Sequence, residues 1–357
     1  MATSKGASVL AGRSLQFRVT LTLLFLSSLL LVPLLCEGGV EEVRFASGEF
    51  VIVGDLQTPD AEGPYPAIIM IHGDGGVNRS DSGKYAPLFD VFLRAGYAVL
   101  SWDKPGTGET VGQFGDGAWI ITYRTEILLD AIAFLRQQPS IDPDRIGAWG
   151  ISQGGIVIPM ALTKTDDLSF AIIVSGPGVD GISQYGYLIG RYVVCEGGSE
   201  ANGDLAESSY ENAARASSYE EYRDARTTLV QIAGAPDIVG DGVLSEDEWH
   251  IWDRSADCFF DPMDAIRQTA IPILAFFGEL DKQVNPVRGA ENYLQAISEA
   301  GHPDSRVEML PGVDHSLVEA TTGCLSERDR RSRFQWLQYA PEFLEIMEDW
   351  LAQLSSC

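Results

Sequence analysis

Ser152 stands in Gly150-Ile-Ser-Gln-Gly154, a Gly-x-Ser-x-Gly pattern. A serine on a sharp strand-to-helix turn holds its hydroxyl clear of a sheet, and bulk two residues to either side would clash with the turn. The apolar run Ile146 to Ile151 reads as the strand before that turn, and the residues after Gly154 read as a helix. The N-terminal N–H groups of such a helix favour an anion forming above the serine. The chemistry these residues suit is nucleophilic attack on a carbonyl. It requires a base, an acid that orients the base, and two N–H donors for the developing oxyanion.

The chain has four histidines, His72, His250, His302 and His315. His315, in Gly312-Val-Asp-His-Ser316, follows the last expected strand and is the candidate base. His72 precedes a glycine turn and is expected to shape that loop. His250 falls in an insertion, and His302 follows a helix stop at Gly301 and is expected at the surface. The acid should follow the apolar run Ile271 to Phe277, where Glu279 and Asp281 both stand. Asp281 is preferred, because a longer turn carries its carboxylate out towards the histidine. Asp314 adjoins His315 too closely to orient its ring and is expected to brace the loop. One oxyanion donor is the N–H of Gln153, the residue after the nucleophile. The other is expected at Asp74 in His72-Gly-Asp-Gly-Gly76, where Gly73 and its neighbours let the backbone approach a ligand. That loop lacks the Lys-Ser/Thr ending of a nucleotide cradle.

The elements that must position these residues alternate. Val43–Phe45 and Phe50–Leu56 read as a hairpin, and Pro66–Ile71, Tyr97–Trp102, Ile146–Ile151, Phe170–Val174, Ile271–Phe277 and Val307–Leu310 read as strands. Helical patterns fall between them at Tyr85–Arg94, Tyr123–Gln138 and Val287–Ala300, with closing helices over Phe334–Leu354 broken at Pro341. Such alternation predicts an α/β fold with a mostly parallel sheet covered by helices on both faces. Asp74, Ser152, Asp281 and His315 each follow a strand, so they would meet at the carboxyl edge, where such sheets bind ligands. Residues 179–270 carry helical pieces and many acidic residues with no buried strand pattern, and are expected to form a cap or lid insertion. The hydrolase core would then be residues 39–178 and 271–357.

The chain resembles the α/β-hydrolase superfamily, and within it the capped branch near dienelactone hydrolases and serine aminopeptidase-like esterases. The resemblance rests on Ile71-His-Gly-Asp-Gly-Gly76, Trp102-Asp-Lys-Pro-Gly-Thr-Gly108, the stretch Asp142 to Gly155, Val174-Ser-Gly-Pro-Gly178, Phe277-Gly-Glu-Leu-Asp281 and Asp314-His-Ser316. It implies Ser152 as nucleophile, Asp281 as acid, His315 as base and backbone donors at Asp74 and Gln153. It also implies an α/β-hydrolase fold and cleavage of a carboxylic ester through an acyl-enzyme, with no cofactor required. A serine peptidase is the second expectation, and a non-catalytic ligand-binding protein on the same scaffold the third. Similar proteins often carry serine where Asp74 stands; a carboxylate there is unfavourable to an oxyanion unless it points away.

The remaining signals bound the setting. Lys and Arg number 25 against 51 Asp and Glu, a formal net charge of −26 with no basic stripe, which excludes a nucleic-acid partner. A hydrophobic content of 45% supports a folded core rather than disorder. Lys5, Arg13 and Arg18 precede the apolar run Val19–Leu35 and then Cys36-Glu-Gly38, the layout of a signal peptide ending at residue 38. An uncleaved signal anchor is the alternative, and the only membrane association expected; otherwise the product is exported. Removal of Cys36 would leave Cys195, Cys258, Cys324 and Cys357, expected as Cys195–Cys258 and Cys324–Cys357 disulfides. Asp237 to Glu248 matches a calcium loop at five positions, but Val239 stands at the third ligand position, so any Ca2+ site would be weak. No other metal is expected. Asn78-Arg-Ser80 is a glycosylation sequon. The expected partner is a small ester or a short peptide.

Overall fold

A computed structural model describes residues 38–113, 120–234, 244–251, 256–336 and 338–354. The expected signal segment lies outside the described residues, save Gly38. Five strands form the middle of the sheet and are buried on both faces, β5 only over its second half from Ile146: β3 (Tyr65–Ile71), β4 (Ala98–Trp102), β5 (Ile141–Ile151), β6 (Phe170–Val174) and β7 (Ile273–Gly278). β1 (Val40–Ser47) and β2 (Phe50–Gln57) form the leading hairpin, and β8 (Arg306–Leu310) the far edge. The order is β1-β2-β4-β3-β5-β6-β7-β8. The first two pairings, β1 with β2 and β2 with β4, are antiparallel; all others are parallel. This is the mostly parallel α/β sheet that the alternation predicts.

Successive residues of each central strand point to opposite faces. Ile69 and Ile71 join α2 (Ile120–Leu135), α3 (Gly154–Leu162) and α10 (Pro286–Ala300) in one core layer. Ile68 and Met70 join α1 (Ala86–Arg94) and α13 (Pro341–Leu354) in the other. Pro341 opens α13 at a position where the missing N–H costs nothing. Register aligns the strand ends: Ile71 lies opposite Gly150, Ile151 opposite Val174, Val174 opposite Phe276 and Gly278 opposite Leu310. The loops that follow therefore leave from one edge.

Between β6 and β7 the described residues form helices rather than strands. α4 (Gly181–Cys195), α5 (Glu200–Ala214) and α6 (Tyr219–Ala233) each begin at an N-cap whose side chain accepts a backbone N–H: Asp180, Ser199 and Ser218. They share a small core of Val193, Ala206 and Leu229. The short α7 (Glu246–Ile251) and α8 (Ala256–Phe259) follow. α9 (Pro262–Gln268) then packs Met263 and Ile266 into the main core. Asp257, on α8, accepts the N–H groups of Ile121 and Thr122 (both 2.9 Å), so the helical segment is tied to the start of α2.

The expected disulfide pairing is not the one formed. Cys195, the last residue of α4, is bonded to Cys324, and Cys258 takes no part in a disulfide. Cys357 lies outside the described residues. The partners are 129 residues apart in sequence, and tertiary packing makes them neighbours: α4 ends beside α11 (Leu325–Arg328), in the segment that follows the His315 loop. No helix among the described residues is long and apolar enough to cross a membrane.

Candidate active site

Ser152 sits between β5 and α3 with φ of 56°, in the left-handed region that a residue with a Cβ rarely occupies. Its N–H is held by the Val174 carbonyl at 2.9 Å, and its own carbonyl accepts Gly155 N–H at 2.8 Å. The turn is that tight because two positions lack side chains. A Cβ on Gly150 would lie 2.7 Å from Ile158 Cδ1 and 2.9 Å from the backbone of Gly154; one on Gly154 would overlap the Ile71 carbonyl oxygen. These contacts are the physical content of the glycines in the motif.

Two further loops bring a carboxylate to an imidazole. His315 Nδ1 lies 2.7 Å from Asp281 Oδ2, with both side chains buried. Asp281 Oδ1 accepts the N–H groups of Gln283 (2.7 Å) and Val284 (2.9 Å), so the carboxylate is fixed from both oxygens. Glu279, the other acidic candidate, turns away to accept Gly312 N–H at 2.9 Å. Asp314 binds Arg331 Nη1 at 2.6 Å and Ser316 N–H at 2.9 Å, which braces the loop carrying His315. The segment between β6 and β7 also reaches this place: Tyr187 donates its hydroxyl to the Asp281 carbonyl at 3.0 Å. His302 is not the surface residue expected; half-buried, its ring nitrogens meet the Ile271 and Ile266 carbonyls, joining α9 to the start of β7 and the end of α10. His250 is exposed on α7.

The loop after β3 is held from behind. His72 is buried, with Nε2 2.7 Å from the Trp102 carbonyl and Nδ1 3.2 Å from Tyr85 Oη. Burial, with Lys104 nearby, pushes its pKa down to about 3, so it is a neutral strut. Lys104 donates Nζ to the carbonyls of Gly73 and Gly75, the latter at 2.7 Å. Arg124 donates to the His72 carbonyl and to Gln153 Oε1. Both side chains are buried; burial, with Arg124 nearby, draws Lys104 down to about 6, and burial draws Arg124 down to about 10. In a trans peptide the C=O and the following N–H point opposite ways. A Gly73 carbonyl turned onto Lys104 therefore turns the Asp74 N–H away from it. The Asp74 carboxylate is exposed and lies in the field of Arg124, whose positive charge offsets its own beside the serine.

Sequence reasoning missed Lys104 and Arg124. Lys104 had a signal, since it directly follows the β4 strand in Asp103-Lys-Pro-Gly, at the same sheet edge as the other loops. Arg124 had a weaker one: it is a charged residue between Ile121 and Leu128 on the buried stripe of α2. Asp103 keeps the Lys104 loop in place, accepting Arg79 N–H (2.8 Å), Arg79 Nη2 (3.0 Å) and Glu109 N–H (2.9 Å).

Ser152 and Asp74 line two cavities. The larger, about 740 Å³, also takes in His315, Lys84, Arg328 and Trp336. The smaller, about 170 Å³, takes in Gln153, Ile121, Ile156 and Leu188. Ser152 and Asp74 thus stand where the two cavities meet, with His315 on the larger side and Gln153 on the smaller. Among the described residues no cluster of three or more His, Cys, Asp or Glu is arranged to hold a metal ion. The Asp237–Glu248 loop lies for the most part outside the described residues.

Comparison with known proteins agrees with this architecture. The profile of the X-Pro dipeptidyl-peptidase (S15) family matches residues 49–313. The quorum-quenching protein AidA of Acinetobacter baumannii is 33% identical over 142 residues, covering 40% of this chain and 45% of that protein. The thiohydrolase aneE of Aspergillus aculeatus is 37% identical over 124 residues, covering 32% of this chain and 36% of that protein. The chain thus spans less than half the length of either relative. A solved esterase from Pyrococcus furiosus superposes with a TM-score of 0.52 at 15% identity, covering 88% of this chain and 90% of that one, a likeness of fold alone.

Proposed function

The chain belongs to the X-Pro dipeptidyl-peptidase (S15) family of α/β-hydrolases, and from that premise we propose that it is a serine hydrolase of carboxylic esters, with Ser152, His315 and Asp281 as its triad. The observation that carries this reading is the meeting of a serine on a left-handed elbow with a histidine whose Nδ1 is held 2.7 Å from a buried carboxylate, in one cavity. His315 Nε2 takes the proton of Ser152 as its Oγ bonds to the carbonyl carbon. The oxyanion is received by the N–H groups of Asp74 and Gln153. His315 returns the proton to the leaving oxygen as the carbonyl–oxygen bond breaks. Water then repeats the sequence, releasing the acid and restoring Ser152. Asp281 holds the imidazole and stabilises its positive charge while it carries the proton. The Cys195–Cys324 disulfide favours an exported product, since such bonds persist outside reducing compartments.

Peptide cleavage is the second reading, and the family supports it. A dipeptidyl-peptidase must receive a substrate ammonium. Of the three carboxylates at the larger cavity, Asp81 faces Lys84 and Asp329 faces Arg328 (3.6 Å each), and Asp74 lies in the field of Arg124, which favours the ester. Purified protein should hydrolyse p-nitrophenyl butyrate with kcat/KM at least a hundredfold above that for an aminoacyl-prolyl p-nitroanilide. The reverse ranking makes it a peptidase.

A further inference from the structure

The two cavities that meet at Ser152 differ in size, polarity and access to His315, and that asymmetry bears on substrate choice. The smaller cavity has an apolar wall of Ile120 and Ile121 at the start of α2, Ile156 on the first turn of α3, and Leu188 and Tyr185 on α4; of its polar lining, Asp257 is taken up by the N–H groups of Ile121 and Thr122. It lies on the Gln153 side of the serine. The larger cavity holds His315 and mixes Lys84 and Arg328 with Asp74, Asp81 and Asp329 around Trp336, whose ring lies 4.2 Å beneath Lys84 Nζ.

The general acid must reach the leaving oxygen. His315 lines the larger cavity, so the leaving alcohol lies there and the acyl chain lies in the smaller one. This argument rests on the proposed function above. A dry cavity of about 150 Å³ accommodates one benzene ring. At about 170 Å³, the acyl cavity suits an apolar chain of roughly four to six carbons or one phenyl ring. Opposed charges line the alcohol side, so a strongly charged group of either sign gains little there, whereas hydroxyls find both donors and acceptors.

We infer that the substrates are esters of short apolar acids with large, polar, uncharged alcohols. Ile156 sets the depth of the acyl cavity, being one turn beyond Ser152 on the helix that closes it. Each methylene that fits contributes about tenfold or more to discrimination, and one that does not fit costs as much.

The test begins with protein shown to react with a fluorophosphonate probe. kcat/KM is then measured on p-nitrophenyl acetate, butyrate, hexanoate and decanoate, with wild type and Ile156→Trp, and on methyl butyrate against a glucose monobutyrate. The expected wild-type optimum is butyrate or hexanoate, with decanoate at least tenfold lower. Ile156→Trp should move the optimum to acetate, and the sugar ester should exceed methyl butyrate at least tenfold. An optimum at decanoate, an optimum unmoved by Ile156→Trp, or a preference for methyl butyrate overturns the inference while leaving the hydrolase reading intact. Folded protein that the probe does not label overturns the hydrolase reading itself.

Discussion

Replacing Lys104 by methionine removes the donors to Gly73 and Gly75 while filling a similar volume. Burial brings the Lys104 pKa down to about 6, so at pH 8 the group is an amine that still offers two N–H bonds. Two such bonds between neutral groups contribute about 0.5–1.5 kcal/mol each. Their loss frees the Gly73–Asp74 peptide to rotate, and the Asp74 N–H leaves the position facing the oxyanion. If the whole 1–3 kcal/mol is felt in the transition state, kcat falls roughly 5- to 150-fold. KM should change less than threefold, because the ground-state carbonyl is bound mainly by the cavity walls. The assay is steady-state hydrolysis of p-nitrophenyl butyrate at pH 8, with Lys164→Met, at a surface lysine paired with Glu126, as the control that keeps kcat near wild type. A folded Lys104→Met enzyme with unchanged kcat would refute the argument that this lysine aims the oxyanion loop. A loss confined to KM would refute it equally.

Other perturbations read different parts of the account. Asp281→Asn should lower kcat by roughly 10³–10⁴ with little change in KM, since it leaves the imidazole without its charge partner; a loss under tenfold would remove Asp281 from the proposed triad. His72 is held near 3 against an ordinary value near 6.5, so the unfolded chain takes up a proton that the folded chain refuses between those values. Its contribution is full above pH 6.5 and is lost as pH falls towards 3, up to about 5 kcal/mol in all. Denaturant midpoints measured across that range should therefore fall more steeply for wild type than for His72→Gln, and parallel curves would contradict the burial argument. Reducing the Cys195–Cys324 bond should destabilise the fold by about 2–4 kcal/mol, as closure of a long loop implies. Urea titrations with and without a phosphine reductant measure this, and Cys195→Ser should be insensitive to the reductant.

The fold was legible because its signals are local. Continuous aliphatic runs such as Pro66–Ile71 and Phe170–Val174 mark strands buried on both faces, and the motif glycines mark a turn that only small residues allow. Chain order then brings Ser152, Asp281 and His315 to one sheet edge, because parallel strands deliver the loops after them to the same side. The preference for Asp281 over Glu279 came from turn length, and the geometry has a plain cause: the Gly278 carbonyl accepts Asp281 N–H, closing a turn that sends Asp281 inward and Glu279 to Gly312. What sequence could not carry was contact between distant segments. Proximity in the chain suggested Cys195 with Cys258, yet the packing of α4 beside α11 decides the pairing. His302 looked like a surface residue after a helix stop, but α9 folds back against it. Lys104 and Arg124 were missed because only the closing of β4 and α2 behind the β3 loop buries them and turns them onto its carbonyls.

Labelling of the purified protein by a fluorophosphonate, read by mass spectrometry of the modified peptide, tests the central claim most directly. The account predicts one adduct on the peptide containing Ser152, blocked by prior phenylmethylsulfonyl fluoride and absent in Ser152→Ala. An adduct that persists in folded Ser152→Ala, or a folded wild type that takes none, would contradict it.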